Sequence, residues 1–327
     1  MGAAALAVGC AHSHKSSNPK AIPMHETTEW RLEPSLKYDA LCFANVLTGD
    51  PFYLEYYEGE YDRFKPKLTP EALLALTDLK RKIKDEHQGI VSAFLCLYFS
   101  ATEDRTITDM RKTVEHSEEM KRQLQKTPYY DPDEWRLYES VRGDLKTILT
   151  FLQVAGFEDY WKETIRPKVE LKIKEIEKDL PRYNVIAEDE RLLGFALPSN
   201  RITVYMLYYS QPHGIRVTGT RFLTDAAWPF AIVVRNAAHE MMHPPYHLAA
   251  DRELRETLDL LKSDPFLMNK VKNHNPSFGY NSFEGYIEED CVQAHDQITC
   301  ERLGIAKEAH QRWKESDDGM HVFAVAL

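Results

Sequence analysis

The sequence predicts an α+β fold that is mainly helical, with a helical N-terminal half followed by a smaller mixed region. Three observations carry this. From about residue 34 to about residue 180 apolar side chains recur at helical spacing; after Pro181 the chain turns to β-branched and aromatic runs broken by turn residues; then comes a largely apolar segment with the start and stop signals of one more helix. The corresponding division is 1–25 as a leader-like segment and linker, 26–180 as a helical scaffold, and 181–327 as the region that carries chemistry.

The helical half justifies itself element by element. Thr69-Pro70-Glu71 opens a helix with a hydroxyl cap and a proline in the first turn; Leu73, Leu76, Leu79 and Ile83 follow at helical spacing, and Gly89 closes it. Asp131-Pro132-Asp133-Glu134 opens another, with Tyr138, Val141, Leu145, Ile148 and Leu152 on one face and Gly156 at its stop. A third carries Val169, Ile173, Ile176 and Leu180 between charged residues that form its solvated face. No period of 20–50 residues marks a repeat array, and no chemical motif lies in this half.

Beyond Pro181, Ile202–Tyr209 and Ile215–Leu223 flank the turn-forming Gln211-Pro-His-Gly214 and read together as a β-hairpin. Ala226–His243 then reads as a buried helix, with Asp225 as its cap, Pro229 in its first turn and Pro244-Pro245 ending it.

Composition narrows the function. The 327 residues are 43% hydrophobic and 28% charged, ordinary for a globular chain, with 41 Lys+Arg against 51 Asp+Glu and a net charge of −10. No basic stripe gathers to meet a phosphate backbone, so nucleic acid is not an expected partner. No run approaches the ~18 apolar residues that span a bilayer. The first ten residues, however, are apolar and uncharged and end in Ala7-Val8-Gly9-Cys10, which resembles the bacterial lipobox; Lys15 is the first positive charge, so the basic start of an export signal is missing. The myristoylation pattern fails at Leu6. The expectation is a cell-envelope protein anchored through a lipidated Cys10. Cys42, Cys96, Cys291 and Cys300 show no metal or redox spacing and are expected to be buried small hydrophobes.

His239-Glu240-Met241-Met242-His243 is H-E-x-x-H. Residues four apart share a helix face, so two neutral imidazoles can meet one metal ion, while Glu240, about 100° round the helix, can point at a water in the open coordination position. Chance produces this pattern in roughly one chain of this composition in twenty; its place in a helix with clear boundaries raises its weight. A catalytic zinc needs a third protein ligand. The metzincin continuation would place Gly and His at positions 246 and 249, which hold Tyr246 and Ala249. A glutamate of a later helix is the remaining common solution, and Phe283-Glu284-Gly285-Tyr286-Ile287-Glu288-Glu289-Asp290-Cys291-Val292-Gln293-Ala294 offers Glu288 and Glu289. Glu284 is expected to precede the helix proper, because of Gly285.

On these residues the chain resembles the gluzincin branch of the zincin metallopeptidases, over roughly 185–305. The resemblance implies a zincin-like domain, one zinc per chain held by His239, His243 and Glu289, and Glu240 as the base that activates the zinc-bound water for peptide hydrolysis. It favours Glu289 because Val292 and Ala294 follow it as in many such helices, leaving Glu288 as a solvated first-turn glutamate. It also implies a carboxylate orienting a zinc histidine, for which Asp296 and Asp290 are candidates, and a donor to the oxyanion, for which Tyr280, Tyr286, His274 and His295 are candidates. Gln293 stands where thermolysin-type members have an aspartate. A strand of the hairpin, Ile202–Tyr209 or Ile215–Leu223, would pair with an extended peptide, while Tyr205, Tyr208 and Tyr209 are equally suited to packing. The expected activity is therefore that of a zinc-dependent metallopeptidase acting on peptide or protein. The alternatives are a non-catalytic envelope binding or scaffold lipoprotein with a zincin-like fold, and zinc hydrolysis of a non-peptide amide.

Overall fold

The computed structural model describes residues 23–243, 252–278 and 280–327; Cys10 and Pro244-Pro245 lie outside them. The fold is α+β and mainly helical. Strand β1 (Glu29–Pro34) leads into helices α1 (Leu36–Leu47), α2 (Pro51–Phe64), α3 (Pro70–Lys80), α4 (Val91–Phe99), α5 (Ile107–Glu115), α6 (Glu118–Leu124), α7 (Pro132–Val154), α8 (Phe157–Tyr160), α9 (Arg166–Ile176) and α10 (Val185–Leu193). Strands β2 (Arg201–Leu207), β3 (Ile215–Val217) and β4 (Arg221–Asp225) follow, then α11 (Phe230–Met242), α12 (Arg252–Leu261), α13 (Pro265–Asn273), α14 (Phe283–Arg302) and α15 (Ala309–Glu315).

The start signals act as expected. Thr69 Oγ1 accepts from Ala72 N at 3.2 Å, the Asp131 carboxylate accepts from Asp133 N and Glu134 N, and Gly156 takes the left-handed conformation (φ 76°) after α7. Helix α3 runs on into a π-helical segment, Arg81–Glu86, before Gly89. Every residue of α1 is buried. Its Asp39 carboxylate accepts from Tyr208 N (2.8 Å), Tyr209 N (3.1 Å) and Trp161 Nε1 (2.7 Å), so a central helix is tied by one side chain to the end of β2 and to the α8–α9 region. Burial pushes that carboxyl up to about 7 in spite of the three donors.

The sheet differs from the expected hairpin. Its order is β1-β2-β4-β3, with β1 and β4 both parallel to β2 and only β3 antiparallel, to β4. The hairpin therefore lies inside 215–225, where Gly219 (φ 75°) makes the turn, and Ile202–Leu207 is a central strand. Two flanking strands occupy both edges of β2, which is why it cannot pair with β3 or with an incoming peptide; β3 is an edge of the sheet. Sequence periodicity did not reveal β1, a short strand in the region read as scaffold.

One continuous hydrophobic core runs from Leu36 to Cys300 and draws on both sides of residue 180. A smaller cluster joins Leu258, Leu267 and Val271 of α12 and α13 to Phe283, Tyr286 and Ile287 of α14 and to Met320. Helix α11 packs on α14, which contributes Cys300 to the first cluster and Phe283, Tyr286 and Ile287 to the second. Cys42, Cys96 and Cys300 are buried free thiols, as their isolation in the sequence implied, and Cys291 is half-buried. Tyr209 is buried and Tyr205 packs its ring 4.8 Å from that of Tyr38. The hydroxyl of Tyr208 donates to Glu60.

Candidate metal centre

Helix α11 begins at Phe230 after Pro229, which occupies the N-cap position without a side-chain cap. Asp225 does not cap it: its carboxylate accepts from Ala227 N (2.8 Å), Ser210 N (3.0 Å) and Tyr57 Oη (2.9 Å), closing the turn before the helix instead. At the other end the helix stops at Met242, and His243 follows with extended backbone (φ −83°, ψ 137°). His239 thus sits in the last turn and His243 just beyond it. The last carbonyls of a helix lack intrahelical donors, and here two side chains supply them. The Arg216 guanidinium donates to the Glu240 carbonyl, and Tyr129 Oη donates to the His243 carbonyl at 3.3 Å while accepting from Arg216 Nε at 3.1 Å. A residue from β3 and one from the segment before α7 therefore fix where the second histidine points.

Helix α14, capped by Ser282 Oγ on Gly285 N, brings its buried face to the two imidazoles. His239 Nε2 and His243 Nε2 are 3.1 Å apart; Glu289 Oε1 is 3.5 Å from the first and Glu289 Oε2 3.5 Å from the second. Ligand atoms held ~2.0–2.1 Å from a tetrahedral ion are about 3.4 Å from one another. The three side chains form a group that could hold a metal ion, and their spacing and donor types fit one.

The atoms turned away from this centre are equally well placed. His239 Nδ1 is 2.8 Å from Asp296 Oδ2, and Asp296 is gripped by Arg312, which also donates to Gln293 and Gln297. That contact sets the tautomer that leaves Nε2 free for a metal. Of the two carboxylates expected to orient a histidine, Asp296 does so and Asp290 does not: its Oδ1 lies 2.7 Å from His321 Nδ1 and its Oδ2 accepts from Phe323 N and Ala324 N. Glu288 lies in the second turn of α14, not the first, and approaches His243 Nδ1 at 3.5 Å, so it is the outer partner of the second histidine. Glu284 stands inside the helix, paired with Lys262 at the surface. Gln293 donates to Glu289 Oε1 at 2.8 Å; the orienting aspartate sits at Asp296, one turn farther along the helix.

Burial works against the charged imidazoles, but the carboxylates outweigh it, holding His239 well above and His243 above the ordinary histidine range and Glu289 well below the ordinary carboxylate range. Metal can bind only to the neutral rings. Uptake of a metal ion is therefore expected to release protons, and affinity to fall as the pH is lowered. Calorimetry in two buffers of different ionisation enthalpy counts the protons; equal heats in both would contradict this assignment of charge.

Glu240 is buried beside this group. Burial raises its pKa, opposed by His239, His243 and Arg216. Gly214 lies near it: a Cβ there would stand 3.0 Å from Glu240 Oε1 and 3.3 Å from Asn236 Nδ2, so a larger residue would press on both side chains. Of the four donor candidates, Tyr280 is the one at the centre. Burial, together with the neighbouring charges of Glu289, Asp317 and Glu240, keeps its phenol protonated. Tyr286 Oη donates to Met320 O, His274 Nδ1 is 2.7 Å from Val271 O, and the buried His295 Nδ1 has no hydrogen-bond partner among the described residues.

Asp296→Asn keeps the size of the side chain but weakens its hold on the His239 ring. Metal affinity is expected to fall about 10–100-fold with little change in fold, measured by competition with a chromophoric chelator; unchanged affinity would remove Asp296 from the site. Sequence reading missed Gly214, Arg216, Tyr129 and Arg312, which belong to no motif. Only Gly214 carried a signal, as the last residue of a turn. No protein-family model, curated protein or solved structure matches the chain.

Proposed function

We propose that this protein is a single-zinc metallopeptidase of the gluzincin type, with His239, His243 and Glu289 as the ligands. The observation that carries the reading is Glu240: a carboxylate buried beside three metal-ligand side chains without belonging to them, which a purely structural site has no use for.

When bound, zinc polarises the substrate carbonyl and lowers the pKa of a water toward ~7. The protein's own groups supply the rest. Glu240, whose burial raises its affinity for a proton, takes one from the attacking water and passes it to the departing nitrogen. Tyr280, kept protonated, is placed to donate to the oxygen on which negative charge develops. Asp296 and Glu288 keep the histidine rings turned inward. Edge strand β3 begins one residue after Gly214, which lies near Glu240, and its backbone groups would pair with an extended peptide.

The test is cleavage of a broad peptide mixture followed by mass spectrometry, with chelator-treated and zinc-restored protein side by side. Hydrolysis lost with the metal and regained with zinc supports the proposal. One metal per chain without turnover on any peptide would return the protein to the non-catalytic binding reading.

A further inference from the structure

Besides Tyr129, which holds the His243 carbonyl, the helical half comes up to the neighbourhood of the metal centre at a second place. The segment after the π-helical turn, His87–Ile90, and the start of α4 face Tyr280 and Asn281 across a cavity of about 430 Å³. Ile90, Ala93 and Phe94 form its apolar wall, and all three are partly buried. A second cavity of about 230 Å³, lined in part by Tyr53 and Lys84, shares Gln88, Gly89 and Ile90 with the first. The two thus make one groove along the 88–90 lip. At one end Tyr280 lines the groove and lies close enough to Glu289 and Glu240 for their charges to act on its phenol. At the other, Tyr53 Oη is 3.1 Å from His213 Nε2, next to Gly214, where a Cβ would stand 3.0 Å from Glu240 Oε1.

The lip is held rigidly. Asn281 Nδ2 donates to Gln88 O at 2.8 Å, joining the two walls, and Gly89 N donates to Ile83 O at 2.8 Å. A Cβ on Gly89 would meet the Ile83 carbonyl at 3.2 Å, and Gln88 adopts a positive φ of 56°. Phe94 is fixed by its ring contact with Tyr98 at 4.7 Å. The space is an open groove with one apolar wall and one polar wall.

We infer that this groove is the specificity site of the enzyme, and that it seats a bulky apolar side chain of the substrate peptide against Ile90, Ala93 and Phe94. The inference rests on the metallopeptidase reading for the identity of its occupant. It assigns the helical half a role: the scaffold supplies the pocket, and α11 and α14 supply the chemistry. The volume admits an aromatic or branched side chain, and the wall of Ile90, Ala93 and Phe94 offers such a side chain apolar contact.

Binding and cleavage are tested separately. Blocked peptides with one phenylalanine walked along an otherwise Ala/Gly sequence are titrated into the zinc-loaded Glu240→Gln protein by calorimetry, and the same peptides are offered to the wild type for cleavage. The expected result is about tenfold or tighter binding when phenylalanine occupies one position than when alanine does. Ala93→Trp, which puts a large side chain on the groove's apolar wall, should abolish that preference. Phe94→Ala should weaken it, and thermal melts of both variants report that the fold is intact. A preference unchanged in Ala93→Trp, or no preference at any position, overturns the inference. A preference that Ala93→Trp abolishes, in a wild type that cleaves none of the peptides, supports the groove and sinks the peptidase reading instead.

Discussion

Glu240→Gln protein is expected to take up one zinc per chain as the wild type does and to lose about 10²–10⁴-fold in kcat. The amide has the shape of the carboxylate it replaces and can rest in the same space beside Gly214, so the ligands are left where they are. It cannot accept a proton, and no other described side chain stands where Glu240 stands. A second readout separates loss of the base from disturbance of the site. Because burial raises the Glu240 pKa in the metal-free protein, its charge opposes folding once the pH exceeds the unfolded value of about 4.5. Metal-free Glu240→Gln should therefore melt higher than metal-free wild type at pH 8, and the gap should close as the pH falls toward 4. Equal hydrolysis by the two proteins would remove Glu240 from the mechanism, and with it the strongest reason for reading the site as catalytic.

The second large effect concerns the neighbouring glutamates. Glu289→Ala removes one of three ligands and leaves two imidazoles facing a void, so binding of zinc at micromolar concentration should be lost. The stabilisation by bound metal goes with it, about 4 kcal/mol when the free ion is 1,000 times its Kd. Glu288→Ala should keep the metal, with affinity reduced about 10-fold, since Glu288 reaches only the outer nitrogen of His243 and is partly exposed. Metal content after dialysis and the zinc-dependent shift in Tm measure both. A Glu288→Ala protein without metal beside a Glu289→Ala protein that retains it would reverse the assignment.

What the sequence disclosed and what it hid divide along physical lines. Helices with a cap, a proline and a closing glycine were legible because those signals are local, as Thr69 and Asp131 show. H-E-x-x-H was legible because helix periodicity fixes the relation of His239 to His243, even though the helix stops one residue short of the second histidine. Glu289 and Asp296 could be nominated because each lies on a helix whose face is set by spacing. Strand pairing was not legible: turn chemistry at Gln211–Gly214 suggested a hairpin, but β2 pairs with strands on both sides, one from residue 29 onward, and nothing local encodes that choice. Arg216, Tyr129 and Arg312 were hidden for the same reason, because their roles exist only when distant elements meet.

The β1–β2 ladder has a consequence for how the chain reaches this structure. Glu29 pairs with Arg201 and Pro34 with Met206, so some 170 residues must be gathered into a loop before the first rung can form. Closing such a loop is slow relative to local helix formation. Until it closes, β2 presents a bare apolar edge, Ile202-Thr-Val-Tyr-Met-Leu207, to any neighbouring chain. The ten helices between the two strands form from nearby contacts and shorten the distance to be searched. In this protein the long helical stretch is also the spacer that brings two remote ends together, and crowding of partly folded chains would be the circumstance in which that assembly fails.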